Sequence, residues 1–276
     1  MFDRRGFLLG SAAVCAGCAT LPPEGRSRQG EIRIAHCGDP QFGFSRCDDP
    51  QAYDEDLARF ERTIAAVNAL QPDLCFIAGD MTHRGEEVVR DWPRLQKLFK
   101  VPFVVTPGNH DMGPKIVRSN VERFRRVFGY DYQARKIGNW RFISGNSQYW
   151  YHTEERELKS AYEAWLEREL AEAKAAGEKV ILASHIPPYM VNLDEPDSYE
   201  NCPKAERRRR FQLYVDHGVK FYLAGHTHRV VVRAWDGITI LNAETTCRNF
   251  DRVPTGFRLF TAREDGSYSW DFHPVA

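Results

Sequence analysis

The sequence predicts an α/β protein, a four-layer αββα sandwich in which two mixed β-sheets are flanked by helices, built from residues 31–276 as one domain. Three observations carry that expectation. Apolar runs that read as strands alternate with stretches of helical apolar spacing, the mark of crossover units. Two-residue turn signals then divide later stretches into hairpins. Short polar motifs stand at or just after the ends of five of the runs, at the sheet edge where open α/β folds gather ligands. A chain of 276 residues is about the right size for one large α/β domain with a substantial core.

The first 30 residues read differently. Arg4-Arg5 precedes a short apolar stretch, Phe7 to Gly17, too brief to span a bilayer and suited to the apolar region of a signal peptide. The arginine pair resembles a twin-arginine export signal. Ala16-Gly17-Cys18 resembles a lipoprotein processing site, with Cys15 where such sites usually carry Leu. The expectation is an export signal over residues 1–17 and a tether over residues 18–30. The mature protein would be periplasmic, and a lipid on Cys18 would be its link to the membrane. Cleavage near Ala19 and an uncleaved anchor are the alternatives.

The remaining elements follow in order. Ile32–Ala35 reads as a strand. Leu57, Phe60, Ile64, Val67 and Leu70 recur at helical spacing, with Pro72 as the stop. Leu74–Ala78 is a second strand. Val88, Leu95 and Leu98 suggest a helix that Pro93 interrupts, and Val101–Thr106 a third strand. Ile116, Val117, Phe124 and Val127 suggest the next helix. Tyr130–Lys136 and Trp140–Ser144 flank Gly138-Asn139 and form a hairpin. Leu158, Tyr162, Trp165, Leu166 and Leu170 mark a long helix ending near Gly177. The apolar stripes of these helices are core packing.

Val180–Ala183 is a further strand, followed by the long polar loop Pro187–Pro203. A loop of that length is either a recognition element or an exposed linker. Its Asp194, Glu195 and Asp197 would discourage polyanions along that wall. Arg207–Arg210, in the next helix, reads as a solvated face. After the strand Val219–Ala224 come two more hairpins. Asp236-Gly237 separates Val230–Trp235 from Ile238–Leu241, and Asp265-Gly266 separates Phe257–Thr261 from Tyr268–Phe272.

Charge narrows the choice of partners. With 38 basic and 38 acidic residues the formal net charge is +0, so no global field points to nucleic acid or an anionic membrane. Of 7 cysteines, Cys15 and Cys18 belong to the export segment. Cys37, Cys47, Cys75, Cys202 and Cys247 are an odd set, so at least one stays free or pairs between molecules. Cys75 sits in an apolar strand and reads as simply buried. An oxidising destination would permit Cys37–Cys47 or Cys202–Cys247. None has zinc-thiolate spacing.

The five polar motifs are Gly38-Asp39-Pro40-Gln41, Gly79-Asp80, Gly108-Asn109-His110-Asp111, Ser184-His185 and Gly225-His226-Thr227-His228. Carboxylates, amides and imidazoles converging from successive strand ends supply what a pair of hard cations needs. The ordered set resembles the calcineurin-like metallophosphoesterase superfamily over nearly all of residues 31–276. Asp39-Pro40-Gln41-Phe42-Gly43, Asn146-Ser147-Gln148 and His185-Ile186-Pro187 resemble, more narrowly, its complete-S-transactivated-protein-type phosphatase subfamily. Gln41 stands where the wider superfamily usually has histidine.

The resemblance implies one metal held by Asp39, Gln41, Asp80 and His228, and a second held by Asp80, Asn109, His185 and His226, with Asp80 bridging. It implies hydrolysis of a phosphoester by a metal-bridging hydroxide, with His110 as acid or transition-state stabiliser and Asp111 orienting its imidazole. The ions would be manganese, iron, magnesium or zinc. A neutral amide at Gln41 favours manganese, magnesium or oxidised iron over zinc if it coordinates; a Gln41 that only hydrogen-bonds water is the other reading. Arg84 occupies the place of a phosphate-clamping arginine in related Ser/Thr phosphatases, and His83 adjoins it as a second substrate contact. The reaction implied is monoester hydrolysis, on small phosphoesters or on phosphoserine and phosphothreonine. A phosphodiesterase of the same fold is the alternative, and a silent, metal-stabilised binding protein the least favoured reading.

Overall fold

The computed structural model describes residues 30–47, 49, 51–84, 88–113, 115–151 and 154–276. The export and lipidation reading of Arg4, Arg5 and Cys18 lies outside these residues. Among the described residues, no helix is long and apolar enough to cross a membrane.

The chain runs β1 (Glu31–Cys37), α1 (Ala52–Leu70), β2 (Leu74–Ile77), α2 (Val88–Leu95), β3 (Phe103–Val105), α3 (Asn109–Met112), α4 (Arg118–Phe128), β4 (Gln133–Ile137) and β5 (Trp140–Ser144). It continues through α5 (Arg156–Ala175), β6 (Lys179–Ala183), α6 (Lys204–Asp216), β7 (Val219–Ala224), β8 (Val231–Trp235), β9 (Ile238–Asn242), β10 (Gly256–Arg263) and β11 (Tyr268–Pro274). One sheet has the order β11-β10-β1-β2-β3 and the other β4-β5-β6-β7-β9-β8. Both are mixed, as expected. β1, β2 and β3 are parallel, with the β10–β11 hairpin antiparallel alongside. β5, β6, β7 and β9 are parallel between antiparallel edge strands.

Period-two alternation sorts the strand side chains into two cores. Ile32, Ile34, Leu74, Phe76 and Val104 of the first sheet meet Phe142, Ile181, Phe221, Leu223 and Leu241 of the second in the inter-sheet layer. Their neighbours Ala35, Cys37, Cys75, Ile77, Val180 and Leu182 face outward, onto Phe60, Ile64 and Val67 of α1 or Leu166 and Leu170 of α5. Strands buried on both faces read as continuous apolar runs. The sandwich brings the C-terminal ends of the parallel strands of both sheets to one rim.

Several expectations need correction. The helix begun at Ile116 starts instead at Arg118, because Val117 is extended (φ −122°, ψ 151°). Pro93 lies within α2 rather than ending it, and the chain tightens into a 3₁₀ turn only at Gln96–Leu98. β3 is shorter than its apolar run, since Pro102 has no N–H to give the ladder. The arginine run is a solvated face only at Arg208 and Arg209. Arg207 is 1% exposed and Arg210 4%; Arg210 pairs with Glu163 and Glu206. Neither proposed disulfide forms: Cys37, Cys47, Cys75, Cys202 and Cys247 are all free thiols. Cys37 Sγ instead lies 3.9 Å from Cys75 Sγ across the β1–β2 pair.

Candidate metal centre

Every ligand motif follows a strand, and each strand end must turn sharply to present its side chain at the rim. Gln41, Asp80, His226 and His228 therefore have positive φ, at 33°, 49°, 74° and 53°, a conformation costing about 1–3 kcal/mol for a non-glycine residue and concentrated at functional sites. The flanking glycines are demanded by close approach. A Cβ on Gly108 would lie 2.0 Å from Asp80 Oδ1, and one on Gly225 2.5 Å from Asp39 Oδ2.

The predicted ligands of one ion converge directly. His185 Nε2 lies 2.9 Å from Asn109 Oδ1, 3.1 Å from His226 Nδ1 and 3.4 Å from Asp80 Oδ2. Among the described residues, Asp80, His185 and His226 form a buried group whose ligand atoms all lie within 4.8 Å of one another. The protons point away from this cluster. His185 Nδ1 donates to the Ala78 carbonyl at 2.6 Å and His226 Nε2 to the Tyr199 carbonyl at 2.6 Å. Unshared pairs on two imidazoles, an amide oxygen and a carboxylate thus face one point, an arrangement that repels itself unless a cation or a proton sits there.

The electrostatics report the same demand. Burial opposes a charge on His185, but the Asp80 and Asp39 carboxylates outweigh it and push the imidazole up to about 9. Burial and the neighbouring His185 hold His226 down at about 3. Asp80, although burial favours its neutral form, is held below the carboxylate range by the surrounding histidines.

The other predicted ligands lie beside this cluster. Asp39 is fully buried; both its oxygens accept from the His226 N–H, at 3.0 and 2.9 Å, and its Oδ1 lies 3.5 Å from His185 Nδ1. Burial raises its pKa against the pull of His185 and His228. His228 Nδ1 donates to the Arg248 carbonyl at 2.7 Å, which leaves the lone pair on Nε2. Gln41 donates its N–H to the Asp80 carbonyl at 2.7 Å. Its side-chain oxygen is buried without a hydrogen-bond partner among the described residues. A buried amide oxygen normally has a partner, so this one fits a cation and supports the coordinating reading of Gln41.

His110 stands between this cluster and a cavity. Its N–H donates to Asp80 Oδ1 at 2.8 Å and its Nδ1 to the His83 carbonyl at 2.7 Å. Asp111 does not orient that ring, contrary to expectation. Its carboxylate instead accepts from the N–H groups of Gly108 at 2.9 Å and Met81 at 3.0 Å, tying the two ligand turns together. A carboxylate three residues after an N-cap folds back on the cap more readily than it reaches the preceding side chain. Burial and the Asp80 charge raise its pKa to about 7.

The cavity, about 690 Å³, is lined by His83, Arg84, Asn109, His110, Ile116, Gln148, Tyr151, Ile186, Tyr199 and His226, among others. His83 and Arg84 are therefore at the cavity wall. His83 acts on His110 through its carbonyl, and Arg84 is exposed.

Three residues at this wall were not read as functional from sequence. Gln148 is 4% exposed and its Nε2 has no hydrogen-bond partner among the described residues. Its motif is held in place by Asp131, which accepts from Asn146 Nδ2 and Tyr149 Oη, and by Ser147 Oγ, which accepts from the Ile186 N–H. Tyr199, in the 187–203 loop, touches two ligands. Tyr151 is the third. The acidic residues of that loop do not face the cavity as free charges. Glu195 accepts from the N–H groups of Met190 and Val191, Asp194 pairs with Arg208, and Asp197 accepts from the Lys204 N–H.

Comparison with known proteins agrees with this geometry. The profile described as calcineurin-like phosphoesterase matches residues 32–230. The chain is 29% identical to the rat "Serine/threonine-protein phosphatase CPPED1", over 83% of this chain and 75% of that one. It is 32% identical, over 63% of each, to an Arcobacter nitrofigilis protein named "Probable glycerophosphodiester phosphodiesterase GpdQ". Among solved structures, a dimetal phosphatase from Danio rerio superposes with a TM-score of 0.59 at 12% identity, over 84% of this chain and 93% of that one, and shows the shared fold. With its motifs gathered at one rim of two mixed sheets, a buried donor set that calls for a cation and a profile match over most of its length, the chain belongs to the calcineurin-like phosphoesterase family of metal-dependent hydrolases.

Proposed function

We propose that this protein is a phosphatase that hydrolyses phosphate monoesters at a centre of two metal ions. The observation that carries the reading is the convergence of Asp80, Asn109, His185 and His226 beside the cavity that His110 faces. Asp39, Gln41, Asp80 and His228 would hold the second ion, with Asp80 shared. Bound there, the ions would supply positive charge for the phosphoryl oxygens and acidify water near neutral pH.

The chain's own groups do the rest. Asp80, anchored through both its backbone and side chain, offers the two anionic oxygens that a shared position needs. His110, with Nδ1 committed to the His83 carbonyl, directs Nε2 at the leaving group. To donate a proton there it must begin as the imidazolium. Gln148 Nε2, buried and unpartnered, would donate to a substrate oxygen, and Arg84 would meet phosphate from the open side of the cavity. Gln148→Leu should raise KM about tenfold, the loss of one hydrogen bond to a charged acceptor. An unchanged KM would remove Gln148 from the substrate site.

Similarity to the phosphatase CPPED1 over most of both chains favours monoesters. A second reading, diester hydrolysis, draws on similarity to GpdQ. Turnover of p-nitrophenyl phosphate against bis-p-nitrophenyl phosphate, with manganese, separates them. A kcat/KM at least tenfold higher for the monoester is expected, and a preference for the diester would reverse the assignment.

A further inference from the structure

Tyr199 touches two of the neutral predicted ligands that can be set wrongly. Asparagine can present either end of its amide, and histidine either nitrogen. Asn109 Nδ2 donates to Tyr199 Oη at 2.8 Å, which turns Oδ1 inward to within 2.9 Å of His185 Nε2. His226 Nε2 donates to the Tyr199 carbonyl at 2.6 Å, which keeps the proton outside and the Nδ1 lone pair inside. The Tyr199 ring also lies 4.7 Å from the His226 ring. One residue on a segment without helix or strand therefore orients two ligands.

That segment is held from behind by a buried cation. Arg207 donates through Nε and Nη2 to the Cys202 carbonyl at 3.0 and 2.7 Å. Its Nη1 donates to the carbonyls of Leu193 at 3.0 Å and Glu195 at 2.9 Å. Asn201 adds its own bonds to Glu195 and Pro196, and the Glu200–Arg229 ion pair fastens the loop to the turn that carries His226 and His228. A buried guanidinium satisfied by backbone carbonyls fixes a loop's path, because losing any of these bonds strands a charge.

We propose that the 187–203 loop is a positioning element of the metal centre, with Tyr199 selecting the amide face of Asn109 and the tautomer of His226, and Arg207 holding Tyr199 in place. This rests on the two-metal reading above, and Tyr199 is a positioning residue rather than a catalytic one. Partners of this kind typically account for about 10–100-fold in metal affinity.

The test uses full-length protein stripped of metal. In Tyr199→Phe, which removes one hydroxyl from a side chain that is 68% exposed, calorimetric titration with manganese should show affinity weakened at least tenfold. The His226 tautomer, read by long-range proton–nitrogen NMR of the metal-free protein, should remain Nε2–H because the carbonyl is retained. In Arg207→Met that tautomer should become mixed, and manganese affinity should fall further. Unchanged affinity in Tyr199→Phe overturns the role of the hydroxyl. An unchanged tautomer in folded Arg207→Met overturns the role of the loop. If Arg207→Met does not fold, Tyr199→Phe decides alone. If the wild type takes up none of manganese, iron, magnesium and zinc, the two-metal reading fails, while the tautomer of the metal-free wild type still tests the loop.

Discussion

Asp80→Asn is expected to lower kcat/KM on p-nitrophenyl phosphate by at least about three orders of magnitude, corresponding to about 4 kcal/mol of transition-state stabilisation. Asp80 is 2% exposed, and Oδ1 and Oδ2 face different partners, the His110 N–H and His185 Nε2. An amide offers one neutral oxygen in place of two anionic ones and cannot serve two cations. Its NH₂ would also be aimed either at the His110 N–H, itself a donor, or at the place a cation would take before His185. The metal content of purified protein should fall in step with activity, read by elemental analysis. Because the amide is isosteric, far-UV circular dichroism should not change. Activity within tenfold of wild type, with full metal content, would show that Asp80 is not the shared ligand.

His110→Ala should lower kcat by about 10²–10⁴ on esters with alkyl leaving groups, the usual worth of a placed general acid. The fall on p-nitrophenyl phosphate should be at least tenfold smaller, since that leaving group departs without a proton. Metal affinity should be close to wild type, because the cavity-facing nitrogen of His110 is not part of the buried donor group. Comparing glycerol phosphate with p-nitrophenyl phosphate separates the roles. Equal losses on both esters would make His110 an electrostatic stabiliser of the phosphoryl group instead of a proton donor. The hydrogen bond from Nδ1 to the His83 carbonyl gives this prediction its geometry, for it leaves a single nitrogen to face the substrate.

Much of the architecture was legible because burial on both faces leaves a plain signature. Leu74–Ala78 is a continuous apolar run, Ile32–Ala35 and Val219–Ala224 are broken only by Arg33 and Lys220, and each is a strand between a helical layer and the opposite sheet. The turn dipeptides Gly138-Asn139, Asp236-Gly237 and Asp265-Gly266 each join an antiparallel pair. Boundaries were less legible where backbone geometry outweighed side-chain spacing. Val117 is apolar at helical spacing, yet it caps the helix from an extended conformation. Charge was the least legible property. A run of four arginines resembles a solvated face, but α6 turns Arg207 and Arg210 inward to carbonyls and carboxylates that only the fold brings near.

What the linear chain determined by itself was which polar residues stand at the strand ends. Ligands at strand ends are specified by residue type and order, and a parallel sheet sends successive strand ends to the same rim whatever loops lie between. Which atoms of those ligands face inward was decided only in three dimensions. The choice of nitrogen on His185, His226 and His228 rests on the carbonyls of Ala78, Tyr199 and Arg248, and the amide face of Asn109 rests on Tyr199, 90 residues away in sequence. Asp111 shows the same division: its identity was plain, but the backbone amides of Gly108 and Met81 claimed its carboxylate before any imidazole did. Hydrogen bonds to backbone carry no sequence signature, because every residue has the same donor and acceptor, and so the partners that orient a side chain emerge only when the chain has folded.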